Sequence, residues 1–129
     1  MASLQAGPEA VISHDSALAL YDLSDRLPDQ VHVTIPRTAS RRRPGLRLHT
    51  NQLEPEDVTR YEGLPVTAVS RTLVDVATAG LAEEQVCQAI REALRRGLVS
   101  RESLLRRANA HGGRIKHLVE EILREGDQR

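Results

Sequence analysis

The chain has 129 residues, of which 18 are basic and 18 acidic, so its formal net charge is zero. A domain that binds nucleic acid by neutralising many phosphates carries a surplus of basic residues, and this composition disfavours that class. No stretch reaches the roughly 20 apolar residues of a membrane-spanning helix, and the start lacks a signal-peptide pattern. We therefore expect a cytoplasmic protein that has no membrane partner.

The first predicted element is a short helix that follows an expected flexible start over residues 1–8. His14, Asp15 and Ser16 supply candidate capping residues for a helix start, and apolar side chains follow them at helical spacing. The pattern predicts a helix over residues 15–22.

Four short segments after this helix have the character of strands. Apolar and polar residues alternate over residues 31–35 and 46–49, which we expect to pair as a hairpin. Residues 58–61 and 64–67 flank the dipeptide Glu62-Gly63, and a two-residue connection that ends in glycine is typical of a tight hairpin turn. The segments predict a small, mostly antiparallel sheet of three or four strands.

The apolar period becomes helical from Val69 to the end of the chain, which predicts about four helices. Gly80 and Gly97 follow apolar stripes and predict the ends of the first two. Ser100 predicts the N-cap of the third helix, because its hydroxyl can accept a hydrogen bond from a backbone amide of the first turn.

The predicted fold class is α+β, with the small sheet packed against the N-terminal helix and the C-terminal helices. We expect one domain over residues 1–129, with a helix-and-sheet part over 9–67 and a helical part over 68–126. With no Phe or Trp, the core must be aliphatic. The predicted core residues are Val31, Val33, Ile35, Leu46, Leu48, Val66, Leu73, Val76, Val86, Ile90, Leu94, Leu118 and Ile122.

The sequence contains no pattern that predicts catalysis, a metal or a cofactor. Its five histidines lack the spacing of a metal site, and Cys87 lies in an apolar stripe typical of a buried structural thiol. Ser13, His14 and Asp15 have the residue types of a hydrolytic triad, but such triads are assembled from separated elements. We predict that the chain is not an enzyme.

The densest basic cluster is Arg41, Arg42 and Arg43, with Arg37 and Arg47 close by. Arginine forks bind carboxylates and phosphates through paired hydrogen bonds. These five residues are the predicted contacts to an acidic protein partner or to a nucleic-acid backbone, and the alternative is a solvated loop.

Arg71 and Asp75 are four residues apart on the first C-terminal helix, where opposite charges can form an ion pair. We predict a structural clamp between this helix and the sheet, and the alternative is direct contact with a partner.

Three blocks occur in a distinctive order: VISHDSALALYDL at 11–23, VHVTIPR at 31–37 and LPVTAVSRTLVDVA at 64–77. In this order they resemble the C-terminal region of AbiEi-type antitoxins, the bacterial partners of nucleotidyltransferase toxins in type IV toxin-antitoxin systems. The resemblance covers roughly residues 7–125. It implies a non-enzymatic regulatory module that counteracts such a toxin, without requiring a stable complex.

The family resemblance has two further implications. The family's region follows a winged-helix DNA-binding domain that is missing from this sequence, which adds DNA as a partner class. The family usually has glycine where this chain has Asp22, so we expect a different exit from the first helix.

Two alternative functions remain. One is a transcriptional regulator that binds DNA through residues 37–47 or through the helical hairpin over 83–107, although the exposed face of that hairpin mixes both charges. The other is a remnant accessory domain of a Vsr-like nuclease protein, because similar blocks precede the nuclease half in such proteins.

Overall fold

The computed structural model describes residues 10–24, 31–35, 46–50 and 53–127. The chain divides into two compact units, Met1–Ala68 and Val69–Arg129. The first unit contains the strands and a short helix, and the second contains helices. The α+β class is therefore confirmed. That the two units form one domain remains a prediction.

The described part of the first unit contains five strands, one helix and a single 3-10 turn. The elements in chain order are β1 (Val11–Ile12), α1 (His14–Leu20), β2 (Val31–Ile35), β3 (Leu46–Thr50), the 3-10 turn (Pro55–Asp57), β4 (Val58–Tyr61) and β5 (Leu64–Thr67). The short β1, which the sequence shows only as an apolar run, was not predicted as a strand.

The sheet is mixed, with the order β3-β2-β1-β5-β4 across its described strands. β1 lies at the centre, antiparallel to β2 and parallel to β5. β2 and β3 are parallel, with Val31 opposite Leu46 and Ile35 opposite Thr50. The predicted hairpin of these two strands is therefore wrong. Alternating side chains identify a strand, but they carry no information on the direction of its neighbour.

The second predicted hairpin is confirmed. β4 and β5 are antiparallel, and Tyr61 lies opposite Leu64 across the two-residue turn. Glu62 and Gly63 have φ of +52° and +81°. Positive φ at both positions is the requirement of a type I′ turn, whose twist matches that of the two strands.

Aliphatic side chains of α1 and the central strands form the core of the first unit. Leu18 and Ala17 of α1 are fully buried, as are Val33 of β2 and Val66 of β5. Val31, also predicted in the core, is 36% exposed. The reason is that the two-residue β1 pairs only with Val33 and Thr34, so the start of β2 extends past its neighbour.

The exit of α1 keeps the left-handed conformation that glycine usually provides. Asp22 has φ of +57°. Its amide donates to the carbonyl of Ala19 (3.1 Å), and the amide of Leu23 donates to that of Leu18 (2.8 Å), which is the hydrogen-bond pattern of a Schellman motif. The expected difference in this exit is therefore wrong, because Asp tolerates the left-handed region better than most residues.

The described part of the second unit contains four helices: α2 (Val69–Thr78), α3 (Glu83–Arg95), α4 (Arg101–His111) and α5 (Gly113–Asp127). The left-handed Gly80 and Gly97 follow α2 and α3, and the hydroxyl of Ser100 accepts from the amide of Ser103 at 3.0 Å, as predicted. α2 packs against the other three helices. The fully buried aliphatic residues of the interior include Leu73, Val76, Val86, Ile90, Leu104, Leu118 and Val119.

Candidate functional site

Most of the arginine cluster lies outside the described residues. This applies to Arg37, Arg41, Arg42 and Arg43, so their role as contacts remains a prediction. Arg47 lies in β3 at the position opposite His32. Its side chain is not among those described.

Arg71 and Asp75 form the predicted ion pair on α2. Nε of Arg71 donates to Oδ1 of Asp75 at 2.9 Å, and the two side chains are only 14% and 5% exposed. Removal of one partner from a largely buried pair is costly, because it leaves the other charge in a poorly solvated place. Its proposed role as a clamp to the sheet remains a prediction.

A polar cluster links the start of α1 to β2 in the interior of the first unit. Oγ of Ser13 accepts from the hydroxyl of Thr34 and is also hydrogen-bonded to Nδ1 of His14, both at 2.8 Å. Oγ of Ser16 accepts from the amide of His32 at 2.7 Å. Ser13, His14, Ser16 and Thr34 are all buried, so this cluster, which we call the Ser-His cluster, replaces hydration by internal hydrogen bonds.

His14 of the Ser-His cluster has a strained backbone. Its φ is +53°, a region that residues other than glycine seldom adopt, and its ring stacks on that of His32 with centroids 6.3 Å apart. The Ser13 hydroxyl is fully buried, and a substrate cannot reach it. The arrangement therefore holds the helix start in place and does not present a nucleophile.

Tyr21 connects α1 to β5 by a second buried polar contact. Its hydroxyl donates to the carbonyl of Thr67 at 2.9 Å, and its ring lies against that of Tyr61 with centroids 5.1 Å apart. Burial, together with the neighbouring Tyr61, raises the pKa of Tyr21 to about 12. The phenol therefore stays protonated at neutral pH and works as a donor.

Local explanations also exist for His111, His117 and Cys87. Nε2 of His111 lies 3.4 Å from the Thr78 hydroxyl, and Nε2 of His117 lies 3.3 Å from Oε1 of Glu121. Cys87 is buried, as predicted, and this burial raises the pKa of its thiol. Within the described ranges, no three His, Cys, Asp or Glu side chains are grouped in a way that could hold a metal ion.

A groove on the second unit is a surface feature that the sequence did not predict. It has a volume of about 540 Å³ and lies between the C-terminal halves of α3 and α5 and the turn that leads into α4. We call it the arginine-rimmed groove. It is lined by Arg91, Leu94, Arg95, Val99, Ser100, Arg101, Ile122, Leu123 and Glu125.

The rim of the groove carries both signs of charge. Nε and one terminal nitrogen of Arg91 donate to the carboxylate of Glu125 at 3.1–3.2 Å, which joins α3 to α5. Arg95 donates to Glu92 one turn earlier on α3, and this hydrogen bond lowers the pKa of the Glu92 carboxyl. Arg101 completes the rim from the start of α4. Arginines therefore outnumber acids in the lining by three to one.

One signal in the sequence does point to this groove. Val99 is an apolar residue in the polar turn after Gly97, and it lines the groove. Which apolar residues of α3 and α5 lie next to this turn depends on helix packing, which the sequence pattern does not give.

Among the described residues, none of the helices combines the length and the apolar character that a membrane span requires.

Comparison with curated protein sequences gives no match. The family model of the AbiEi antitoxin C-terminal domain matches residues 9–125, which include the three sequence blocks, the Ser-His cluster and the arginine-rimmed groove. Because this match covers nearly the whole chain, the chain belongs to the AbiEi antitoxin C-terminal domain family.

Proposed function

We propose that the chain is the antitoxin-like regulatory module of a bacterial type IV toxin-antitoxin system, and that it counteracts a nucleotidyltransferase toxin in the cytoplasm. The observation that carries this proposal is the family match over residues 9–125. The module acts as a regulator and not as an enzyme, which is supported by its membership of an antitoxin family. A stable complex with the toxin is not required.

Growth measures this function directly. The proposal requires a neighbouring gene that encodes a nucleotidyltransferase, and the test is to express that toxin from one inducible promoter and this chain from another. We expect the chain to restore growth at matched expression, with and without a winged helix supplied at its N-terminus. A folded, expressed chain that fails to restore growth in both forms would refute the proposal.

The arginine cluster gives a sharper version of the growth test. Arg41, Arg42 and Arg43 changed together to Ser should abolish rescue, because the change removes three forked donors at once. Their sequence context places no demand on packing, and we expect the free energy of unfolding to change by no more than about 0.5 kcal/mol. Full rescue by the triple variant would show that these arginines are only solvated.

The second candidate is a transcriptional regulator that binds operator DNA. It is favoured by the five arginines from residue 37 to residue 47. A mobility-shift assay on the chain's own promoter separates the candidates, since binding driven by phosphate contacts weakens steeply as salt rises. Salt-sensitive binding without growth rescue would favour this regulator over the antitoxin.

A further inference from the structure

We propose that the arginine-rimmed groove is a docking site for an amphipathic segment of a protein partner, in which acidic side chains flank aliphatic ones. This goes beyond the proposed function, because it assigns a surface and the chemistry of what binds there. The inference comes from the lining of the groove, which combines an aliphatic floor with a cationic rim.

The floor of the groove is apolar and built by neighbouring helices. Ile122 and Leu123 of α5 are 6% and 9% exposed, and Leu94 of α3 and Val99 of the α3–α4 turn are half-buried. The volume of about 540 Å³ lies within the range of roughly 300–1,000 Å³ found for binding clefts. A few aliphatic side chains of a partner can be buried here, and that burial supplies the affinity.

The rim favours carboxylates. Arg91, Arg95 and Arg101 line the groove together with one acidic residue, Glu125, and the partners of Arg91 and Arg95 within the chain are Glu125 and Glu92. The side chains of Arg91 and Arg95 are 52% and 71% exposed, so their ion pairs within the chain are solvated and contribute little to stability. Each guanidinium has five N–H donors, so these arginines can also donate to carboxylates of a partner.

Two other occupants fit the groove less well. A nucleic acid would meet an aliphatic floor without an aromatic side chain on which a base could stack. A second copy of the chain, docked groove to groove, would bring two sets of rim arginines together, and like charges across an interface oppose association. An acidic amphipathic segment avoids both conflicts.

The experiment is a titration of the isotope-labelled full chain with a synthetic peptide, followed by backbone amide NMR shifts. The peptide has about 15 residues, roughly four helical turns, with Leu on one face and Glu on both flanks. We expect amide shifts concentrated at the C-terminal halves of α3 and α5 and in the α3–α4 turn. A peptide with Lys in place of Glu should bind at least about tenfold more weakly, because the rim would repel it.

Charge-reversal variants test the rim. Arg95→Glu combined with Arg101→Glu should weaken peptide binding by about tenfold or more. The matched control is Arg106→Glu, because Arg106 is an exposed arginine of α4 that does not line the groove. The affinity of this variant for the peptide should stay within about twofold of that of the unmodified chain. Arg101→Glu alone provides a variant that retains the fold, because a carboxylate in the first turn of α4 interacts favourably with the helix dipole.

Several outcomes would overturn the inference. One is the absence of shifts at the groove up to about 1 mM peptide, a concentration that detects even weak binding. Another is binding that the rim variants leave unchanged. A third is displacement of the peptide by single-stranded oligothymidylate. The last is a dimer in analytical ultracentrifugation that the peptide dissociates, because the groove would then bind a second copy.

Discussion

The two compact units of the chain stabilise their interiors in different ways. Among the described residues, the first unit buries six polar or charged side chains and the second buries two. The first set is Ser13, His14, Ser16, Thr34, Asp57 and Thr67, and the second is Thr72 and Asp75. Helices satisfy most of their own backbone hydrogen bonds, whereas side chains at the start of the seven-residue α1 form hydrogen bonds with β2. The first unit therefore combines an aliphatic core with buried hydrogen bonds, whereas the second depends more on aliphatic packing.

The largest effect is expected from a cavity in the aliphatic interior of the second unit. Leu73→Ala removes a fully buried side chain of α2 and should lower the free energy of unfolding by about 2–5 kcal/mol. Urea denaturation followed by circular dichroism measures this change. The control Leu98→Ala, at a 36% exposed position, should change it by no more than about 0.5 kcal/mol. Equal effects of the two changes would contradict the core assignment.

The next effect is expected in the Ser-His cluster of the first unit. Ser13→Ala leaves the buried Thr34 hydroxyl without its acceptor and should lower the free energy of unfolding by about 1–3 kcal/mol. The double variant with Ser13→Ala and Thr34→Val lacks both partners of this hydrogen bond. Its loss in the free energy of unfolding should be smaller than the sum of the losses in the two single variants. If the two losses simply add, the hydrogen bond between these residues does not stabilise the unit.

A smaller effect is expected from Tyr21 and depends on pH. The pKa of this phenol is raised to about 12, above its unfolded value of 10.0. The phenol of Tyr21 therefore binds its proton more tightly in the folded state than in the unfolded state. The protonated phenol contributes its full stabilisation below pH 10, and this contribution is lost as the pH rises towards 12. Tyr21→Phe should flatten the fall in stability over this window in denaturation measured at stepped pH. If the variant loses stability with pH as steeply as the unmodified chain, the pH dependence comes from another titratable group.

The smallest effect is expected at the helix ends, which allow a direct comparison between the units. Asp22 and Gly97 both occupy left-handed positions after a helix, with φ of +57° and +71°. Asp22→Gly should raise the free energy of unfolding by about 0.5–1 kcal/mol, and Gly97→Asp should lower it by a similar amount, because only glycine adopts this conformation without a steric cost. Thermal unfolding of both variants checks the signs. A loss of stability in Asp22→Gly would show that the aspartate side chain itself stabilises the exit.

The second unit was predictable from sequence because its signals are local. Apolar residues at helical spacing and the glycines at 80 and 97 identify helices and their ends, and the Ser100 cap needs only its own first turn. The ion pair of Arg71 and Asp75 follows in the same way from their spacing of four.

The first unit was predicted less well because it depends on contacts between distant residues. The parallel pairing of β2 with β3, and the central place of Val11–Ile12, are set by which strands meet in space. The link from Ser13 to Thr34 spans 21 residues. The groove was missed for the same reason, since Leu94 and Ile122 become neighbours only when α3 packs against α5.

The most direct test of the central claim is the growth of cells that express the neighbouring nucleotidyltransferase toxin with this chain. We expect the chain to restore growth, Arg106→Glu to restore it equally, and Leu73→Ala to lose rescue in proportion to its loss of folded protein. Toxicity that persists in the presence of abundant, folded chain, even when a winged helix is supplied, would contradict the assignment of this chain as an antitoxin.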